Sequence, residues 1–127
     1  MKRDMGLVRE LLLVIELHET GDLNKSMFGV GAHNEVKIVE HLKLMEEAGL
    51  LVVTFYDLLS GPALVNVKSI TWEGYEFLET IRDPKIWKKT KITANEVGSF
   101  GIDIIKEISK GFIKTKLKHH TGFEISS

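Results

Sequence analysis

Apolar side chains recur along this chain with two periods, and the switches between them outline the fold. From residue 4 to 19, Leu7, Val8, Leu11, Leu12 and Ile15 recur at three- and four-residue spacing, which draws one wide stripe on a helix. Asp4 stands where an N-cap is wanted, and Gly21 where such a helix stops. Residues 33–48 repeat the pattern with Val36, Ile38, Val39, Leu42, Leu44 and Met45. Gly49 then offers a left-handed cap, and Leu50 the apolar contact that follows one. Next the period shortens to two. Leu51 to Tyr56 is a β-branched and aromatic run, and Leu64 to Ile70 alternates Leu and Val with Asn and Lys. Between these strands, Ser60-Gly61-Pro62 reads as a turn.

Thr71 caps a further helix running to about Arg82, with Trp72, Tyr75, Phe77, Leu78 and Ile81 as its apolar set. Asp83-Pro84 ends it, because the residue before a proline resists helical angles. Pro84 can itself open a short helix carrying Ile86 and Trp87. Thr93 to Ser99 reads as a hinge or loop, and residues 100–118 as a last helix. There Ile102, Ile105, Ile108 and Phe112 make one stripe, joined by Ile113 and Leu117, while Lys106, Lys110, Lys114 and Lys118 make a basic ridge.

Helix, glycine stop, strand, loop, strand, helix is the order of a winged helix-turn-helix. The fold class expected is therefore mainly α with a small β-hairpin (α+β). The supporting second helix should be missing or reduced to about one turn, because Met27-Phe28-Gly29-Val30-Gly31 is too rich in glycine for a full one. Residues 1–83 form the winged-helix domain in this reading. Residues 84–118 form a basic helical extension, packed on that domain or used for dimerisation, and 119–127 a frayed tail.

Composition sharpens the picture at four points. A chain of 127 residues with 43% hydrophobic content can bury a core without staples. It has no cysteine, which excludes disulfides, thiolate zinc sites and a cysteine nucleophile. The longest apolar run, Leu11 to Ile15, is far short of a membrane span, and Met1-Lys2-Arg3-Asp4 does not open a signal peptide, so a cytoplasmic protein is expected. The net charge of −1 hides an asymmetry. Residues 1–83 hold 8 Lys/Arg and 14 Asp/Glu, a balance of −6, and residues 84–127 hold 9 Lys and 4 Asp/Glu, a balance of +5.

On a DNA-binding reading, helix 33–48 enters the major groove and presents His33, Asn34, Lys37 and His41 at the base edges. Asn pairs bidentately with adenine, and Lys donates to guanine. Against this, the same helix carries Glu35, Glu40, Glu46 and Glu47, and phosphate neutralisation supplies most non-specific affinity. Lys85, Lys88, Lys89 and Lys91 around Trp87 form a second basic patch, read either as a phosphate-contacting surface or as a solvated face over a buried Trp87. The last helix has three readings: dimerisation across a two-fold axis, packing on its own domain, and a basic amphipathic helix on a membrane surface. The first is preferred, and a membrane partner is not expected. Catalytic residues, cofactors and metal ligands are not expected. Gly29-Val30-Gly31 lacks the downstream Gly-Lys-Ser/Thr of a phosphate loop, and the five histidines show no ligand spacing.

Three stretches resemble a known family: Met1-Lys2-Arg3-Asp4-Met5; His41-Leu42-Lys43-Leu44 leading to Glu47-Ala48-Gly49-Leu50; and Ile70-Thr71-Trp72-Glu73-Gly74-Tyr75-Glu76-Phe77-Leu78 leading to Ile81-Arg82-Asp83 and Trp87. Together they resemble the domain of unknown function 2513 family over residues 1–115. Tyr75 stands where that family commonly has histidine, and Gly6 where it has an acidic residue. The resemblance implies a small winged-helix-like protein of bacterial or prophage origin and transfers no functional residue. Trp72 is expected to cover the base of the wing, and Gly74 to permit close approach of another backbone. The function expected is a dimeric DNA-binding transcription regulator of a mobile element. The alternatives are an adaptor or inhibitor that binds a protein, and an oligomer-forming accessory.

Overall fold

The computed structural model describes residues 2–18, 35–56 and 64–121. Along the chain lie α1 (Met5–His18), α2 (Glu35–Glu47), β1 (Leu51–Tyr56), β2 (Leu64–Ile70), α3 (Trp72–Ile81), α4 (Pro84–Val97) and α5 (Ile102–Thr121). Among the described residues the protein is thus mostly helical, with one antiparallel hairpin, an α+β arrangement. Gly21, the shortened second helix, the 57–63 turn, His33 and Asn34 lie outside the described residues. The chain divides into two compact units, Met1–Leu78 and Glu79–Ser127.

In the first unit, α1 buries Met5, Leu7, Val8, Leu11, Leu12 and Ile15, the stripe its spacing predicts. Helix α2 adds Ile38, Val39, Leu42 and Met45 to the core, the hairpin adds Leu51, Val53, Val67 and Ile70, and α3 adds Phe77 and Leu78. Val36, assigned to the apolar face from its spacing, is instead 71% exposed. At 100° per residue it falls on the side of α2 turned away from Ile38, Leu42 and Met45. In the hairpin, Leu51 pairs with Ile70 and Val53 with Val67, with an irregularity between Val52 and Val53.

Glycine ends α2 by a full Schellman closure. Gly49 is left-handed at φ 77, its N–H donates to Glu46 O and the Leu50 N–H to Met45 O, each at 2.9 Å. Met45 and Leu50 are both buried, the apolar contact that accompanies this motif. Helix α3 is tied directly to that corner. The Thr71 N–H donates to Leu50 O at 3.0 Å, and the Thr71 hydroxyl donates to Gly49 O. The same hydroxyl oxygen caps α3 by accepting from the Gly74 N–H at 3.0 Å. Gly74 allows this approach. A Cβ added there would overlap the Leu50 carbonyl oxygen and lie 2.6 Å from Ile70 Cγ2.

In the second unit, Asp83 caps α4 by accepting from Lys85 N at 2.8 Å and Ile86 N at 3.3 Å, with Pro84 at the first helical position. The hinge expected at 93–99 is instead the last turn of α4. The buried set Ile86, Trp87, Thr90 and Ala94 continues one helical face across it, so packing outweighs the weak helix propensity of Thr93 and Val97. The helix ends at Gly98, φ 83, whose N–H donates to Ala94 O. Helix α5 buries Ile105 and Ser109 against this unit. The Thr90 and Ser109 hydroxyls meet at 3.0 Å in the interior. From Lys114 to Thr121, α5 is exposed on every side. Among the described residues no helix is long and apolar enough to cross a membrane.

Candidate nucleic-acid interface

The two basic patches expected from the sequence have different fates. On α2, His41 is entirely buried, at 0% exposure, which corrects its placement at a base edge. Its ring ties two elements together. Nε2 accepts from the Asp4 N–H at 2.8 Å, and Nδ1 faces Lys37 O at 2.8 Å. Because an amide N–H can only donate, Nε2 is the acceptor and Nδ1 carries the proton given to Lys37 O. Lys37 Nζ lies 3.3 Å from Asp4 Oδ2. Asp4 also caps α1, its Oδ1 accepting from the Leu7 N–H at 3.2 Å. Burial acts to raise the Asp4 carboxyl, but the Leu7 amide and Lys37 outweigh it and hold it below the ordinary carboxylate range. Asp4, Lys37 and His41 therefore form a structural clasp between the start of α1 and α2.

The outer face of α2 offers little to a phosphate. Glu46 and Glu47 are exposed, and Lys43 is shared between Glu40 Oε1 at 3.7 Å and the face of Phe55 at 5.8 Å. Helix α4 is the opposite case. Lys85, Lys88, Lys89 and Lys91 are all exposed, with Lys85 and Lys88 across the helix from Ile86, Trp87, Thr90 and Ala94 and Lys91 one turn on from Trp87. Trp87 is buried. Lys91 Nζ stands 5.7 Å from the Trp87 ring centroid and Lys89 Nζ 5.9 Å from that of Phe112, so both ammonium groups sit over aromatic rings while their residues stay exposed. On α5, Lys116 binds Asp83 Oδ2 at 3.0 Å. This bond, then the Lys85 and Ile86 amides, hold the Asp83 carboxyl below its usual value.

Sequence reasoning also misplaced Trp72. It is 78% exposed and does not cover the hairpin. At 100° per residue, Trp72 falls on the side of α3 opposite Gly74, Phe77, Leu78 and Ile81, a signal that a helical wheel of residues 72–81 already carries. Among the described residues, no three His, Asp or Glu side chains gather as a metal site.

The fold and its surfaces define an α+β protein whose exposed lysines gather on α4 (Lys85, Lys88, Lys89, Lys91) and on α5 (Lys110, Lys114, Lys116, Lys118). The chain belongs to the family described as Hypothetical protein (DUF2513), whose model matches residues 2–100. A relative named "Uncharacterized protein" from Haemophilus influenzae (strain ATCC 51907 / DSM 11121 / KW20 / Rd) is 28% identical over 118 residues, covering 92% of this chain and 99% of its own. No solved structure matches the chain.

Proposed function

We propose that this is a non-enzymatic winged-helix protein of the cytoplasm that binds double-stranded DNA and regulates transcription on a prophage or similar element. The observation that carries the reading is the α4 face, where Lys85, Lys88, Lys89 and Lys91 are all exposed. The order α2, capped glycine, β1, β2, α3 supports the winged-helix assignment. Lysines at this density neutralise backbone phosphates, which fixes a protein on a duplex without reading its sequence. Dimerisation through α5 belongs to the same proposal, supported by Ile104 and Leu117, which α5 leaves substantially exposed.

The test is fluorescence anisotropy of a labelled mixed-sequence duplex at about 50 and 200 mM salt. About four phosphate contacts give a slope near −3.6 in log affinity against log salt, hence roughly a hundredfold weakening between those conditions. Replacing Lys85, Lys88, Lys89 and Lys91 by Gln should remove most of that slope. A chain with no salt-dependent affinity for duplex, or one whose slope survives the four substitutions, refutes the reading. A second reading, an adaptor or inhibitor that binds a protein, is favoured by the exposure of Trp72.

A further inference from the structure

The first unit leaves two large aromatic side chains in water. Trp72 is 78% exposed and Tyr75 43%. Three residues apart on α3, they share one side of the helix, while its remaining large apolar residues Phe77, Leu78 and Ile81 are fully buried. Trp and Tyr are the residues that most often anchor interfaces, because they cover much area at little entropic cost.

The surroundings select the partner. Glu73 and Glu76 flank the pair on α3 and are exposed. The end of α2, where Glu46 and Glu47 are exposed, meets α3 at Thr71 and Gly74, on the side away from Trp72, and adds to the negative field of this region rather than to the rim of the pair. Among the described residues, none of these four carboxylates meets a cation. A phosphate backbone is repelled by such a rim, whereas a cationic side chain gains twice, over the Trp72 face and against the carboxylates.

We propose that this face of α3 docks a Lys/Arg-rich segment of a partner protein, with one cation seated on the Trp72 ring. The inference deepens the protein-binding reading and uses none of the lysines on which DNA binding rests, so either can fail without the other.

The experiment titrates a labelled oligo-arginine peptide with the full-length chain and reads anisotropy. Trp72→Ala and the pair Glu73→Gln/Glu76→Gln are compared with Glu96→Gln/Glu107→Gln, which removes the same charge from exposed sites in the second unit. The first two should each weaken peptide binding about threefold or more, and the control should stay within about twofold of the parent chain. Unchanged affinity in Trp72→Ala overturns the proposal. So does a control that weakens binding as much as the α3 pair, since net charge alone would then explain the affinity. Because the Trp72 side chain is mostly in solvent, the fold should tolerate its removal, and an unchanged circular dichroism melt verifies this.

Discussion

Replacing Gly74 by alanine tests the corner on which the first unit is built. In most helices a glycine-to-alanine change stabilises, by up to roughly 1 kcal/mol. Here the added methyl would overlap the Leu50 carbonyl oxygen, lie 2.6 Å from Ile70 Cγ2 and lie 3.1 Å from Leu50 C. Ordinary contact begins near 3.4 Å, so Ile70 alone is about 0.8 Å too close. Leu50 cannot yield by turning a side chain, because the clashing atoms are backbone. Moving α3 outward instead stretches the Thr71 N–H bond to Leu50 O and the Thr71 hydroxyl bond to Gly49 O. Overpacking of this kind costs about 1–3 kcal/mol, and a weakened buried hydrogen bond about 1 kcal/mol more. Set against the propensity gain, the net should be roughly 2 kcal/mol of destabilisation. In urea, followed by circular dichroism, the midpoint should fall by about 1 M. Gly111→Ala is the internal control. It too is mid-helix, but nothing lies within 4 Å of its added Cβ, so it should stabilise by about 0.5–1 kcal/mol. If Gly74→Ala is neutral or stabilising like Gly111→Ala, the close approach of α3 to the α2–β1 corner is wrong.

Three further predictions follow from the clasp and the second unit. His41→Ala should cost about 2–4 kcal/mol in urea melts, through the cavity and the orphaned Asp4 N–H, and a nitrogen-15 spectrum of the parent chain should show the Nδ1–H tautomer. Thr90→Val should cost about 1–2 kcal/mol by stranding the buried Ser109 hydroxyl, while the double variant with Ser109→Ala should recover most of it. An additive double variant would show that the two hydroxyls do not meet. Asp83 has its carboxyl held low, so its share of stability is present above the unfolded value near 3.8 and is lost as pH falls through the lower folded value. Lys116→Gln should move the Asp83 titration upward in an NMR pH series, and a carboxyl that does not move denies the Lys116 bond.

Much of the fold was legible because the determining interactions are local. The strand limits Leu51–Tyr56 and Leu64–Ile70 follow from a period of two with glycine and proline between. The Gly49 cap, the Thr71 cap and the Asp83-Pro84 start of α4 are each set by one side chain or one φ angle. What periodicity could not supply was the partner of each face. Thr93–Val97 is helical because Ala94 packs in the interior, which no local preference announces. His41 reads from spacing as an edge position, and only the approach of the α1 start makes it a core residue. Lys37 and Asp4 stand 33 residues apart, and their pairing is likewise invisible to a local window.

The clasp and the corner together bear on what α2 can do. Its body is held by Asp4 at His41 and Lys37, and its end by Gly49, Thr71 and Gly74. That rigidity suits a recognition element, yet Lys37 and His41, the two candidate base-reading groups among the described residues, are engaged within the protein. Charge then separates the surfaces. The outer side of α2 and the start of α3 are acidic, and the outer side of α4 is basic. Both kinds of binding should weaken with salt, so salt alone cannot tell them apart. Substitution can. Lysine-to-glutamine changes on α4 should weaken the duplex complex and leave the oligo-arginine complex intact, and glutamate-to-glutamine changes on α3 should do the reverse. If both sets of variants shift both affinities equally, the chain binds through its net field rather than through two built surfaces.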